Sequence, residues 1–443
     1  MMQIYAVGGY NEVGKNCTAL KVGDEAVLFD LGIHLDSYIK YTEDEDIINV
    51  NTYELMKVGA VPNISVIDKL KDKVKAIIVT HAHLDHCGAI PYLANQFKAP
   101  IICTPYTAEV IKTILRDENI KIKNRIIVLN ANSSHKLSNG LKIEFINVTH
   151  STPQTVMAVV HSKFGKVLYA NDFKFDRFPT LGQKPNFNRL KELGKEGVQA
   201  VVVDSTYAPD ASKTPSESIA KHMLRDVMLG VDNKGKAVIV TTFASHLARL
   251  KSIVEFGKKL NRKIIFLGRS LAKYVHAGEN IGLVNFSKDV EIVKYGSKIK
   301  RKLRMVEGKG REKFLLVVTG HQGEPKSTLS KMAGGEINFK FRKEDNVIFS
   351  CKVIPTPVNK ANREELEKRL KELGVSIFKN IHVSGHCARE DLREFINLVK
   401  PKHIIPAHGG IEMRKALQEL AVEMGYKPKK DIHLLKDGEK IEL

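Results

Sequence analysis

The sequence predicts an α/β fold with more than one domain. Its 443 residues exceed what a single hydrophobic core ordinarily serves. Short runs rich in Val and Ile recur through the first 200 residues or so and read as buried strands. From about residue 206, apolar strands alternate with amphipathic helices, the pattern of a parallel α/β unit.

The elements follow in order. Residues 1–9 form a strand entering a glycine turn. They lack the basic and apolar regions of a signal peptide, and no apolar run approaches the roughly 20 residues of a membrane span. A cytoplasmic protein with no membrane association is expected. Residues 26–30 form a strand ending in Asp30, and 75–80 form one ending at a histidine cluster. Short strands lie at 101–103 and 125–129. The strand 142–148 runs into His150, and 156–160 precedes 166–170, which ends at Asn171-Asp172. Beyond 206, helices at 215–228 and 246–260 alternate with strands at 237–241, 264–267 and 314–318. The basic run 294–313 reads either as a nucleic-acid contact or as a solvated surface loop. A helix is expected at 362–373, then strands at 381–384 and 403–406, each ending in polar residues.

The net charge of +20 indicates a polyanionic partner, with nucleic acid ahead of an anionic membrane surface, or else a lysine-rich proteome. The five cysteines are scattered and form no C-x-x-C pair. Neither a disulfide framework nor a Cys-based zinc site is expected.

The stretch His81-Ala82-His83-Leu84-Asp85-His86 is the most informative. It sets four potential ligands directly after a strand. On a tight loop, His81 and His83 can face one cation while Asp85 and His86 face a second. Gly88 then lets the chain enter a helix near Ala89. Neutral imidazole and carboxylate suit zinc where thiolates are absent. His150 follows a strand and suits the first ion. Asp172 can bridge the two, and His408 can complete the second. Asp30 would orient the His loop. Two such cations acidify a water and clamp a phosphoryl group. His386 can protonate the leaving oxygen, with Asp204 fixing its tautomer. Asp85 counts among the catalytic residues as well as the ligands.

These residues resemble the metallo-β-lactamase superfamily. Asp204, His386 and His408 are similar to motifs of its β-CASP nuclease branch. Within that branch the chain resembles the RNase J family, in the short archaeal-type form. The resemblance runs through Asp204-Ser205-Thr206, Phe243-Ala244-Ser245, Gly268-Arg269-Ser270, Thr319-Gly320-His321-Gln322-Gly323, Ser384-Gly385-His386 and Pro406-Ala407-His408. It implies a four-layer αβ/βα metallo-β-lactamase domain in two parts, 1–205 and 381–443, with a β-CASP domain inserted at 206–380. It also implies zinc-dependent 5′→3′ degradation of single-stranded RNA with a 5′-monophosphate preference and some internal cutting. Two Zn2+ per subunit are expected, with Mn2+ or Mg2+ as alternatives. Residues 354–359 depart from the expected Pro-Gly-Asn turn. The chain shows neither the extra C-terminal domain of bacterial members nor an N-terminal KH-type extension, and a homodimer is left open.

A 5′-phosphate pocket needs backbone amides and hydroxyls converging on an anion. Ser245, Arg269, Ser270, the turn Gly320, His321, Gln322 and Gly323, and Ser384 are the candidates. The alternative is a purely endonucleolytic RNA 3′-end processing enzyme of the same branch. A glyoxalase-type hydrolase would share the His loop but need neither the charge nor the second domain. A metal-free RNA-binding scaffold would lack ligands, whereas every expected position here is filled.

Overall fold

The computed structural model describes residues 1–42, 50–354 and 356–443. The chain divides into two compact units. Unit one comprises Met1–Arg177, Gly182–Thr214 and Ser384–Leu443, and unit two Phe178–Leu181 and Pro215–Val383.

Unit one begins with β1 (Met2–Gly8), β2 (Cys17–Val22), β3 (Glu25–Phe29), β4 (Val74–Val79), β5 (Ile101–Cys103) and β6 (Ile126–Val128). It continues with β7 (Ser134–Lys136), β8 (Lys142–Asn147), β9 (Val156–Ser162), β10 (Gly165–Ala170) and β11 (Ala200–Asp204). Unit two holds β12 (Val238–Thr241), β13 (Lys263–Leu267), β14 (Val290–Val293), β15 (Phe314–Val318), β16 (Asn346–Phe349) and β17 (Ser376–Phe378). The chain then returns to unit one as β18 (His403–Ala407) and β19 (Lys440–Glu442).

Unit one stacks two sheets, ordered β19-β1-β2-β3-β4-β5-β6 and β18-β11-β10-β9-β8-β7. Successive strand residues face opposite ways, so alternate positions build separate cores. Val27, Phe29, Ile78 and Ile102 of the first sheet meet Phe145, Val160, Tyr169 and Val202 of the second. The rings of Phe29 and Tyr169 stack across this layer at 4.7 Å. The next residues along, Leu168, Val201, Val203 and Ile404, face outward against the helices Phe187–Glu196, Arg389–Val399 and Ile411–Glu423. The 3-10 segment Ile64–Lys73 and the helix Pro105–Asp117 pack on the first sheet. The result is four layers, the metallo-β-lactamase arrangement.

Unit two is a fully parallel sheet ordered β14-β13-β15-β12-β16-β17. Parallel crossovers are right-handed, so the direction of winding fixes which face each helix covers. The chain moves from β12 to β13 and β14 through Leu247–Lys259 and Arg269–Asn280, which pack on one face. It returns to β15 and goes on to β16 and β17 through Gly296–Lys309, Thr328–Ala333 and Pro357–Glu372. Ile299, Leu303, Leu329, Met332, Leu366 and Leu370 of these helices cover the other face. The winding therefore reverses between the neighbours β12 and β15, and open α/β sheets bind ligands outside the carboxyl ends at such a point.

Several sequence expectations are corrected. The run 294–313 is no loop: it forms the helix Gly296–Lys309 and the turn Arg311–Lys313, because Ile299, Leu303 and Val306 bury one face. The helix expected at 362 starts at Pro357, since Thr356 caps it by accepting from the Asn359 amide and Pro357 occupies the first turn. Residues 381–384 form no strand. The Ile381 carbonyl accepts from Arg249 and Ser350 side chains instead of a ladder, and β17 takes the sheet edge beside β16. A helix does begin at the expected place, Ile90–Leu93 with Ala89 at its N-cap, but a further short helix, Leu84–Cys87, forms inside the His cluster with His83 at its N-cap. Residues 206–214 lie in unit one rather than in the insertion. Thr214 holds them there, its amide donating to Asp391 at 2.7 Å and its hydroxyl to the His386 carbonyl at 2.6 Å.

Phe145 is fully buried between the sheets of unit one. Phe145→Ala is expected to destabilise that unit by about 3–5 kcal/mol, read as a lower denaturant midpoint for its transition.

Candidate metal centre

The polar residues of unit one gather where strands end. β3 runs parallel to β4 in the first sheet, and β10, β11 and β18 run parallel to one another in the second. Val203 pairs with Ala170 and with Pro406, so Asp172, Asp204 and His408 emerge side by side. Asp30, Asp172 and His408 have φ of 60°, 53° and 54°. Asp and His are among the residue types that tolerate this left-handed region, which turns the chain sharply at the strand end.

The His loop is clasped by backbone. Asn16 N donates to the Asp85 carbonyl at 3.0 Å, Leu31 N to that of His86 at 2.8 Å and Ile33 N to that of Leu84 at 3.0 Å. The approach is so close that a Cβ on Gly32 would fall 1.6 Å from the Asp85 oxygen. Only glycine fits there.

Among the described residues, three clusters share Asp172; one, Asp172, Asp204, His386 and His408, contains the His386–Asp204 pair, and the other two are candidate ligand sets. His81, His83, His150 and Asp172 offer donor atoms within 4.8 Å of one another, and so do Asp85, His86, Asp172 and His408. Asp172 Oδ2 lies 3.5 Å from the Nε2 of both His81 and His150, and its Oδ1 lies 3.3 Å from the Nε2 of both His86 and His408. Asp85 Oδ2 is 3.6 Å from His86 and 3.8 Å from His408. His81 Nε2 and Asp172 Oδ1 are buried and make no hydrogen bond. Such groups are costly when unsatisfied. Divalent cations fit both sets, because imidazole and carboxylate donors already converge there.

Partners behind the rings fix which nitrogen faces inward. Asp30 Oδ2 lies 2.7 Å from His86 Nδ1, and its other oxygen accepts from the Thr80 amide. Asn16 Oδ1 accepts from His408 Nδ1 at 2.9 Å, and the Gly385 carbonyl accepts from His150 Nδ1 at 2.6 Å. Each leaves Nε2 toward Asp172. Burial pushes His83 down to about 3 and lowers His81 and His150 as well. All three are neutral at pH 7, as ligands must be. His86 is held well above its ordinary value: burial opposes the charge, but Asp172, Asp85 and Asp30 outweigh it. The same negative field would draw a dication to its Nε2. Burial opposes ionisation of Asp172 too, yet His408 and His86 keep it well below the usual carboxylate range.

His386 Nδ1 lies 2.7 Å from Asp204 Oδ2. Asp204 Oδ1 accepts from the Thr206 amide at 2.8 Å, which fixes the carboxylate. The His386 ring lies between Tyr207 and His408, with centroids at 5.7 and 5.8 Å. Burial lowers its pKa, but Asp204 and then Asp172 raise it to about 9.

The pocket candidates are distributed differently. Ser384 belongs to unit one, where its hydroxyl accepts from the His386 amide at 3.0 Å. The others follow β12, β13 and β15 at the winding reversal of unit two. Phe243 and His321 rings are 4.4 Å apart, and a Cβ on Gly268 would sit 2.4 Å from Thr319, so these three loops meet. Ser245 is buried just before its helix, whose N-cap is His246. Arg269 is exposed in the first turn of its helix. Gly320 and Gly323 have φ of 121° and 79°. The Gln322 side-chain amide donates to the Lys352 carbonyl and accepts from the Ile354 amide, holding that segment. Burial lowers the His321 pKa, so its ring is neutral.

Sequence reasoning missed Asn16, Gly32 and Gly385. An Asn in a Gly-Lys-Asn turn carries no motif signal, and the two glycines matter only through segments distant in sequence.

Models of three families match the chain. That for the metallo-β-lactamase superfamily covers residues 10–223, that for the ribonuclease J β-CASP domain 235–371, and that for a Zn-dependent metallo-hydrolase RNA specificity domain 365–434. The chain is 44% identical to Ribonuclease J of Methanocaldococcus jannaschii, over 99% of this chain and 98% of that protein. It is 41% identical to Ribonuclease J of Pyrococcus abyssi, over 100% and 97%. For Ribonuclease J 1 of Streptococcus pyogenes the identity is 31%, over 99% of this chain and 74% of that protein. A solved structure of an Enterococcus faecalis protein of unknown function shares the fold, with a TM-score of 0.66 and 16% identity over the whole of both chains.

Asn16→Ala removes the acceptor behind His408 and the Nδ2 that lies 3.0 Å from His86 Nε2, while leaving every proposed ligand residue in place. Metal affinity, measured by chelator competition, is expected to fall about 10- to 100-fold.

Proposed function

The chain belongs to the ribonuclease J family, and from that premise we propose that it is a two-zinc ribonuclease that degrades single-stranded RNA from the 5′ end, prefers a 5′-monophosphate and also cuts internally. The observation that carries this reading is the Asp172 carboxylate, shared by two histidine-rich ligand sets beside the His386–Asp204 pair.

His81, His83, His150 and Asp172 would hold one ion, and Asp85, His86, Asp172 and His408 the other. Such a pair of cations, when bound, acidifies a water and offsets charge on the phosphoryl oxygens. Zinc suits an imidazole–carboxylate set, and the match to a Zn-dependent RNA specificity domain supports it. Asp85 has a side chain 27% exposed, so it stands where water reaches the set. Asp204 accepts the Nδ1 proton of His386, which leaves Nε2 to protonate the departing oxygen. The proton is retained at neutral pH because the pKa is near 9.

For the 5′ end, Ser245, Arg269, Ser270 and the Gly320–Gly323 turn line the carboxyl edge of unit two at its winding reversal. Backbone amides in positive-φ turns and a guanidinium suit a terminal phosphate. His321 would contribute there as a neutral donor and Gln322 only by holding the turn.

End-labelled RNA tests direction and metal dependence together. The wild type is expected to release mononucleotides from 5′-monophosphate RNA, and His83→Ala to lose activity and metal content. Release of internal fragments alone would favour the purely endonucleolytic reading. Asp204→Asn removes the charge that raises the His386 pKa, so the basic limb of the kcat–pH profile should move to lower pH. Ser245→Ala with Arg269→Ala should reduce the preference for 5′-monophosphate over 5′-hydroxyl RNA, compared as kcat/KM.

A further inference from the structure

The helix Gly296–Lys309 carries Lys298, Lys300, Arg301, Lys302, Arg304 and Lys309 against one acid, Glu307. Glu307 is engaged by Arg311. Among the described residues, Lys302 alone of these cations has a carboxylate partner, Glu291 of β14. Elsewhere on the surface, cations sit one helical turn from an acid, as in Lys71–Asp68, Lys112–Glu109, Lys259–Glu255 and Arg369–Glu365. Here the one-turn neighbours are like charges, Lys298 with Lys302 and Lys300 with Arg304, which oppose the helix they lie on. A surplus of that kind is kept for an anion.

The helix leaves the carboxyl end of β14, the edge strand of the sheet. Between helix and strand lies a groove of about 440 Å³, lined among others by Val293, Lys294, Tyr295, Lys298 and Arg301. Tyr295 is 53% exposed, and the Lys294 ammonium lies 5.4 Å from its ring centroid. Protection of the edge against strand pairing would put charge on β14 itself, yet its sole charged side chain is Glu291.

We propose that this groove binds a single-stranded segment of the RNA substrate, with phosphates on Lys298 and Arg301 and a base stacked on Tyr295. Cationic grooves with an exposed aromatic ring bind single strands this way. The groove opens at the same carboxyl edge as the phosphate-binding loops, one strand from Arg269: the Gly268 amide donates to the Val293 carbonyl at 3.0 Å. Nucleotides held there would continue from the 5′ end. The inference rests on the reading that RNA is the substrate.

The test is the full-length, metal-loaded triple variant Tyr295→Ala/Lys298→Ala/Arg301→Ala, assayed on 5′-monophosphate RNAs of 30 and 4 nucleotides. On the long RNA, KM is expected to rise about tenfold with kcat unchanged. The slope of log(kcat/KM) against log[salt] should shrink by about 1.4, the share of two phosphates on a single strand. Cleavage of the short RNA should be unaltered. Removal of repelling charges leaves the melting temperature unchanged or higher, so folding does not confuse the result. An equal loss on both RNAs, or none on the long one, overturns the proposal. Unchanged RNA kinetics with lost binding to phosphatidylserine vesicles assigns the groove to a membrane and also overturns it. A wild type that cuts neither RNA instead overturns the underlying reading.

Discussion

The buried carboxylate of Asp172 is the group on which unit one depends. It is 1% exposed and has four imidazole nitrogens within 3.5 Å. An isolated charge there would be strongly disfavoured. It persists because imidazoles approach both oxygens, and because those rings are aimed by partners of their own, Asp30, Asn16 and the Gly385 carbonyl. The left-handed turn at Asp172 points the side chain into this cluster instead of along the strand. Geometry and charge thus compensate each other. Neutral His81 and His150 lie on one oxygen, with the neutral His83 ring beside them, while His86, raised by three carboxylates, lies with His408 on the other.

This constraint explains the path of the chain. His408 can reach Asp172 only if β18 lies beside β11, and β11 beside β10. The chain leaves unit one after Thr214 and re-enters at Ser384, having built unit two in between. At re-entry it supplies the Gly385 carbonyl to His150 and the His386 ring to Asp204 before β18 is made. Thr214, the last residue before departure, accepts the Ala388 amide at 3.0 Å and donates to the His386 carbonyl. The exit and the return are therefore tied to each other at the centre, and a long insertion there costs little extra closure entropy.

Unit two owes its functional edge to chirality. Right-handed crossovers force the helices of outward and returning strands onto opposite faces. The loops after β12 and β15 consequently lead to helices on opposite faces while meeting at their common edge, where the Phe243 and His321 rings are 4.4 Å apart. Inside the unit, Arg249 is fully buried and paired in two contacts with Glu217, at 2.6 and 2.8 Å, while also donating to Ser350 and Ile381. This buried pair is held together by the cost of breaking it, because loss of either partner would leave the other charge uncompensated. It anchors the segment entering β12 to the end of the unit at residue 381.

By itself the sequence determined the residues with chemistry and most of the strands that carry them. Val- and Ile-rich runs ending in Asp30, His81, Asp172 and His408 are local patterns, and burial of alternate side chains follows from local periodicity. It also carried the family resemblance, because those motifs stand in a fixed order. Only the tertiary structure decided what those residues share. That one carboxylate serves two imidazole sets follows from the register of β10, β11 and β18, which pairs residues about 200 apart in sequence. Asn16, Gly32 and Gly385 were illegible because their roles lie in contacts with Asp85, His150 and His408 and not in their own neighbourhoods. That both ends of the Gln322 side-chain amide meet the backbone at 352 and 354 was likewise not readable from the sequence. The basic run at 294–313 was ambiguous until packing of Ile299, Leu303 and Val306 made it a helix and set its cations on one exposed side. Local patterns write side-chain chemistry and strand identity, whereas register and close approach arise from contacts between segments distant in sequence.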